Sequence, residues 1–236
     1  MQTKIQRSNE RGHASHGWLN TYHSFSFGHW YEPSKVHFGA LRVLNDDEIK
    51  AGEGFGTHPH DNMEIVTIPL SGSVAHKDST GTDGIIKTGD VQIMSAGTGI
   101  RHSEFNGSKT EDLSLLQIWV IPKEENIKPR YDQKTFDIKD RNNTWQVVVS
   151  PSDKNALWIN QDCIFALSHL EAGKDLSYKN QFNGSGVYLF VIEGGCEVNG
   201  QQLGKRDAME ITDADGFEIK ALEAADLLVI EVPMLK

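Results

Sequence analysis

Cysteine, long apolar runs and net positive charge are all scarce in this chain. Of 236 residues, only Cys163 and Cys196 are cysteines; their separation fits neither a C-x-x-C redox motif nor a zinc ribbon, so both read as reduced core residues. No segment approaches the roughly 20 apolar residues of a membrane span. The first sixteen residues are polar and charged, without the roughly 7–15-residue apolar stretch of a secretory signal. A cytoplasmic protein without membrane contact is the expectation. Lys and Arg total 23 against 33 Asp and Glu, a net charge of −10. A field of that sign repels phosphate backbones and anionic lipid, so direct nucleic-acid binding is not expected. Helical periodicity is missing too: no window sustains it over more than two turns, which leaves helices few and short.

What the chain does have is many short, β-branched apolar segments punctuated by Gly, Asn and Asp. They are Phe38–Val43, Met63–Leu70, Val91–Met94, Leu113–Val120, Trp145–Val149, Val187–Ile192, Ala208–Ile211 and Leu227–Val232. Such a run of strands and turns indicates an all-β sandwich or barrel. At about 150 residues per domain the length suits one large domain or two small ones. A weak internal repeat favours two: IVTIPLSGSVAHKD followed by TGDVQIM resembles VYLFVIEGGCEVNG followed by KRDAMEI. The halves are expected at about residues 1–135 and 140–236. The polar stretch Lys123–Arg141, which contains Pro129, is the candidate connection.

Two short motifs carry chemistry. His58 and His60 stand at i and i+2, as do His102 and Glu104, and on extended backbone such pairs project to one face. Two facing strands would then offer three imidazoles and a carboxylate, a donor set suited to iron, nickel, copper, manganese or zinc. A divalent ion among these groups keeps one net positive charge and open positions, which favours an anionic oxygen ligand. One H-x-H pair arises readily by chance in a chain with 10 histidines, whereas a glycine-framed pair of pairs is far more specific. His13, His16, His23, His29 and His37 lack paired spacing and read as structural hydrogen-bonding histidines. Trp18, Phe25, Phe27, Trp30 and Tyr31 read as packing aromatics.

Gly52, five residues, His58, one residue and His60 are similar to the first cupin motif, and Gly99, His102 and Asn106 to the end of the second. More narrowly, RGHASHGWLNTYHSFSF, ALRVLNDD, GFGTHPH, MSAGTGIRHSE and QIWVIP resemble the pirin family of bicupins, and within it the short bacterial pirin-like quercetin 2,3-dioxygenases. The likeness is dense from Arg7 to Pro122 and one of length and pattern beyond.

The resemblance implies two cupin barrels: an N-terminal metal-binding barrel, and a C-terminal one without metal ligands. It places the ligands on His58, His60, His102 and Glu104. They would hold one divalent transition metal, Fe(II) first, with Ni, Cu, Mn, Co or Zn also compatible. Many cupins take their carboxylate from the first motif, at the position of Ile65 here; Glu64 is one residue out of register and should face the other side of its strand. Glu104 would also be the catalytic group that takes the proton of a flavonol 3-hydroxyl. Laying Gly194 over Gly72 without gaps puts Asn180 and Phe182 at the positions of His58 and His60, and laying Asp207 over Asp90 puts Ile219 and Ala221 at those of His102 and Glu104.

The implied activity is metal-dependent cleavage of flavonols such as quercetin by O2, giving a depside and carbon monoxide, by a monomer. The alternative is a metal- or redox-sensing regulatory protein acting through protein partners, as described for other pirins. A cupin isomerase or epimerase, which would consume no oxygen, is a third reading.

Overall fold

The structure, a computed structural model, describes residues 1–235. Every apolar segment named above lies wholly or partly in a strand, and among the described residues the helical elements are two 3-10 turns, Ser8–Glu10 and Ile138–Arg141. No helix there is long and apolar enough to cross a membrane. The strands form two sandwiches, each of a large and a small antiparallel sheet.

In the first half the large sheet runs, edge to edge, Arg130–Thr135, Asp90–Ser95, Glu64–Ser71, Leu113–Val120, Leu41–Ile49, Leu19–His23 and Gly12–Ser15. Its small sheet runs Gly54–His60, Ile100–Asn106, Ser73–Asp78 and Asp83–Lys87. In the second half the large sheet runs Gln2–Gln6, Ala208–Thr212, Ser185–Glu193, Ala225–Pro233, Ile164–Leu170 and Gln146–Val149. The small one runs Asp175–Lys179, Gly216–Ala221, Cys196–Val198 and Gln201–Leu203. Apart from the extra edge strand Gly12–Ser15, the two halves share one strand order, so the repeat is real at the level of topology. Gly72 and Gly194 turn the chain into the equivalent hairpins with φ of 80° and 75°, a left-handed backbone that favours glycine.

Two segments depart from the division expected on sequence. Arg130–Thr135, inside the expected connection, is the edge strand beside Asp90–Ser95. Gln2–Gln6, counted with the first half, pairs with Ala208–Thr212 of the second.

The large sheets of the two halves pack face to face. Their shared core joins Phe25, Leu44, Val66 and Ile118 to Phe165, Tyr188, Phe190 and Ile230. Buried Asp46 ties them further, 3.2 Å from Arg11 and 2.9 Å from Arg206. The interior of the second sandwich is one apolar cluster that includes Val198, Phe217 and Ile219. That of the first is divided: Leu19, Ile49, Val74, Ile86, Leu113 and Leu115 form one cluster, and Ile65, Met94, Ala96 and Ile100 another. Buried polar residues, including Asp47, Thr67, His76, His102 and Glu104, make up much of the remaining interior.

Candidate metal centre

Strand alternation builds the site. Along Ile100–Asn106, residues 100, 102, 104 and 106 are buried while Arg101 and Phe105 are exposed. On one side of that strand His102 stands opposite His58, with a bulge between His102 and Glu104; on the other, His102 stands opposite Asp78 and Glu104 opposite His76. The ring centroids of His58, His60 and His102 lie 4.4 to 4.8 Å apart. Their ligand nitrogens all fall within 4.8 Å of one another. Glu104 belongs to a second, overlapping group with His102 and His76. Its Oε2 accepts from Gln117 Nε2 at 2.8 Å and its Oε1 from Thr67 Oγ1 at 3.3 Å. The structure thus gathers the three expected histidines and sets the carboxylate beside His102.

The donors fit a metal ion. His102 is 1 % exposed, and both its ring nitrogens are buried without a hydrogen-bond partner among the described residues. Such orphans are costly and rare unless something occupies them. His58 Nδ1 lies 2.8 Å from the Gly56 carbonyl oxygen, which fixes the tautomer and leaves Nε2 free. Burial, then the neighbouring imidazoles, pushes His102 down to about 2 and His60 to about 4, so both are neutral, as ligands must be. Burial pushes Glu104 up to about 7 against the hydrogen bonds it accepts, and Asp47 up to about 7 against the one from Thr21.

A cavity of about 770 Å³ opens onto this cluster, and His58, His60, Glu104 and Asp47 line its floor. Its walls add to the reading of the N-terminal segment: Trp18, Phe27 and Trp30, expected to be packing residues, also line the cavity, together with Phe55 and Trp119, and Trp18 packs against the Leu19 cluster as expected. Phe25 is core, and Tyr31 is exposed. His13, His16, His23 and His29 also line the cavity. Three of the N-terminal histidines do make the expected hydrogen bonds: His13 to Asn20, His23 to Asn45 and His37 to the Gly39 carbonyl.

Sequence reasoning passed over His76, Asp47, Thr67 and Gln117. Val74, His76 and Asp78 share the buried face of one strand, an alternation visible in SVAHKD. Glu64 faces away from the cluster, as its register implies. Its Oε2 accepts from Ser95 Oγ and from the backbone N–H of Asn160.

The second sandwich needs a two-residue correction. Phe217 pairs with Tyr178, as His102 does with His58, and Ile219 pairs with Val198, as the strand order matches Glu104 to His76. The equivalents of His58, His60, His102 and Glu104 are therefore Tyr178, Asn180, Phe217 and Ile219, rather than Asn180, Phe182, Ile219 and Ala221. The corrected positions offer no histidine and no carboxylate. Glu231 instead fills the space beside Tyr178, accepting from its hydroxyl at 2.7 Å, from the Ser185 hydroxyl and from the backbone N–H groups of Gln181 and Phe182.

Residues 4–120 match the family described as Pirin, and residues 147–232 match the Quercetinase C-terminal cupin domain. A quercetin 2,3-dioxygenase of Escherichia coli (strain K12) is 43 % identical over 97 % of this chain and 98 % of its own length. The crystal structure of YhhW from Escherichia coli superposes with a TM-score of 0.95 at 41 % identity, covering 99 % of both chains. The structure of bacterial pirin YhhW in complex with nickel(II) superposes with a TM-score of 0.94 at 40 % identity, over 99 % of this chain and 100 % of that one.

Proposed function

The chain belongs to the pirin family, and from that premise we propose that it is a metal-dependent quercetin 2,3-dioxygenase, cleaving flavonols with O2 to a depside and carbon monoxide. The observation that carries this reading is His102, buried with two ring nitrogens orphaned among the described residues and packed against His58 and His60, which line an aromatic-walled cavity. The overall identity to a quercetin dioxygenase favours this enzyme over the regulatory alternative.

His58, His60 and His102 would hold the ion, with Glu104 closing on it from beside His102. A divalent transition ion there would supply Lewis acidity toward a flavonol oxygen and redox chemistry toward O2; Fe(II) is the first choice among Fe, Ni, Cu, Mn, Co and Zn. Trp18, Phe27, Phe55 and Trp119 give the flat apolar walls that a planar polyphenol needs and exclude water from it. Glu104 would accept the 3-hydroxyl proton by loosening from the ion, since a carboxylate within reach of the reacting oxygen can serve as its base. Thr67 and Gln117 hold that carboxyl in place. The reading extends to a cytoplasmic monomer divided at about residue 140, with Gln2–Gln6 joining the second part and the metal in the first part only.

An oxygen electrode, quercetin and protein reconstituted with each of the six metals test the proposal. Oxygen uptake with one carbon monoxide released per O2 is expected with at least one ion. Uptake should vanish in the His58→Ala/His102→Ala double variant together with bound metal. Silence with every ion would overturn the enzyme reading in favour of a sensor.

A further inference from the structure

We propose that His76 is the positioning residue of the metal centre, accepting a hydrogen bond from the His102 ring N–H that points away from the ion, and that Asp78 locks His76 in the tautomer able to accept it. The inference rests on the reading of His102 as a metal ligand and goes beyond it.

An imidazole that gives one nitrogen to a metal carries a hydrogen on the other, and that N–H needs an acceptor to fix the ring. Both nitrogens of His102 are buried without a partner among the described residues, and so is Nδ1 of His76. The other nitrogen of His76 is committed: Nε2 lies 3.0 Å from Asp78 Oδ2. Asp78 Oδ1 accepts from the Thr80 backbone N–H, the Thr80 hydroxyl and the Thr82 backbone N–H, the environment of a carboxylate. Asp78 therefore accepts from His76, the single hydrogen of neutral His76 sits on Nε2, and Nδ1 presents a lone pair. A donor lacking an acceptor thus neighbours an acceptor lacking a donor.

The spacing suits them. No bond joins the two rings as they stand, but their centroids are 5.3 Å apart with 52° between planes, close to the roughly 5 Å that two imidazoles joined by an N–H···N bond of about 2.9 Å require. Tyr131 packs on His76 with ring centroids 4.6 Å apart and 34° between planes, which holds the ring against rotation. The result is a chain running Asp78, His76, His102, ion. Outer partners of this kind orient metal-ligating histidines and make them more basic.

Full-length variants titrated with Ni(II) and Co(II) against a competing chelator test the inference without turnover. His76→Phe keeps a ring against Tyr131 but removes the acceptor, and metal affinity should fall about 10–100-fold. Binding should still saturate at one ion per chain, with the Co(II) absorption bands of the parent. His76→Gln can donate to Asp78 and accept from His102, and should recover most of the affinity. Asp78→Asn keeps the three bonds at Oδ1 and turns an amide N–H toward His76; this moves the His76 hydrogen to Nδ1, donor facing donor, and should cost as much as His76→Phe with both imidazoles intact.

Unchanged affinity in His76→Phe overturns the inference. Equal weakness of the Phe and Gln variants overturns it in favour of packing alone, and altered Co(II) bands overturn it by making His76 a ligand. Failure of the underlying reading looks different: the parent chain itself would bind neither ion, or the His58→Ala/His102→Ala variant would still bind.

Discussion

Glu64 and Glu104 are both buried carboxylic acids of the first sandwich, and strand register gives them opposite duties. Glu104→Gln keeps the size and one acceptor oxygen but removes the negative charge and the capacity to take a proton. Turnover at saturating metal should fall roughly 10²–10⁴-fold, and the deficit should shrink at higher pH, where the flavonol ionises unaided. Glu64→Gln should leave metal content and turnover within about threefold of the parent. It should lower stability by about 1 kcal/mol, read from denaturant unfolding, because the oxygen that serves Ser95 and Asn160 loses its charge. The reverse ranking would assign the carboxylate to the first motif. At this scale the sequence was most informative where partners are two residues apart: His58 with His60 and His102 with Glu104 are visible in the string. His76 with Asp78 has the same spacing but was passed over, because the strand that brings His102 and Glu104 beside them lies elsewhere in the sequence. Trp18 packs as expected, but the cavity wall that it forms with Phe27 and Trp30 was not legible, because an aromatic beside a cavity and one in a core look alike until the other wall is known.

Among elements, the apolar strands of the large sheets were legible from composition, since burial makes Leu113–Val120 or Ser185–Glu193 read as nearly continuous hydrophobic runs. The small sheets were harder: Asp83–Lys87 and Asp175–Lys179 carry charges on their exposed faces. Register between the halves slipped by two residues because the connections differ in length. Three residues join His60 to Glu64 but five join Lys179 to Ser185, and four join Ser95 to Ile100 but three join Thr212 to Gly216, so an ungapped alignment from Gly72 or Asp90 does not hold as far as the ligand positions. The corrected register gives a prediction about the second sandwich. Asn180→His/Phe182→His should bind no second ion, because Phe182 lies beyond the paired strand and Glu231 already claims the backbone there. Elemental analysis should return about one metal per chain, and a value near two would show that the register is wrong.

At the scale of the molecule, two halves were legible from the repeat, but the crossing of the N-terminus was not, because QTKIQ carries no mark of its partner. Gln6 accepts from the buried Tyr188 hydroxyl at 2.7 Å and donates to the Ser24 carbonyl at 2.9 Å, and Gln201 donates to the Thr3 hydroxyl. Removing residues 1–6 should strip the edge from Ala208–Thr212 and strand the Tyr188 hydroxyl, at a cost of about 3 kcal/mol. The melting temperature should drop by about 6–12 °C. Metal content should hold, since the ligand cluster belongs to the other half, and its loss would show that the halves are coupled through this strand. The same strand also orders events on the ribosome. Thr3 lies opposite Ile211 and Gln6 opposite Ala208, so this strand is made long before its partner. With some 200 residues between them, translation at roughly 5–20 residues per second leaves it waiting about 10–40 s. A free strand edge invites its neighbours on a polysome to add to it. One isoleucine among two glutamines, a threonine and a lysine is a segment that can wait in water without recruiting another nascent chain.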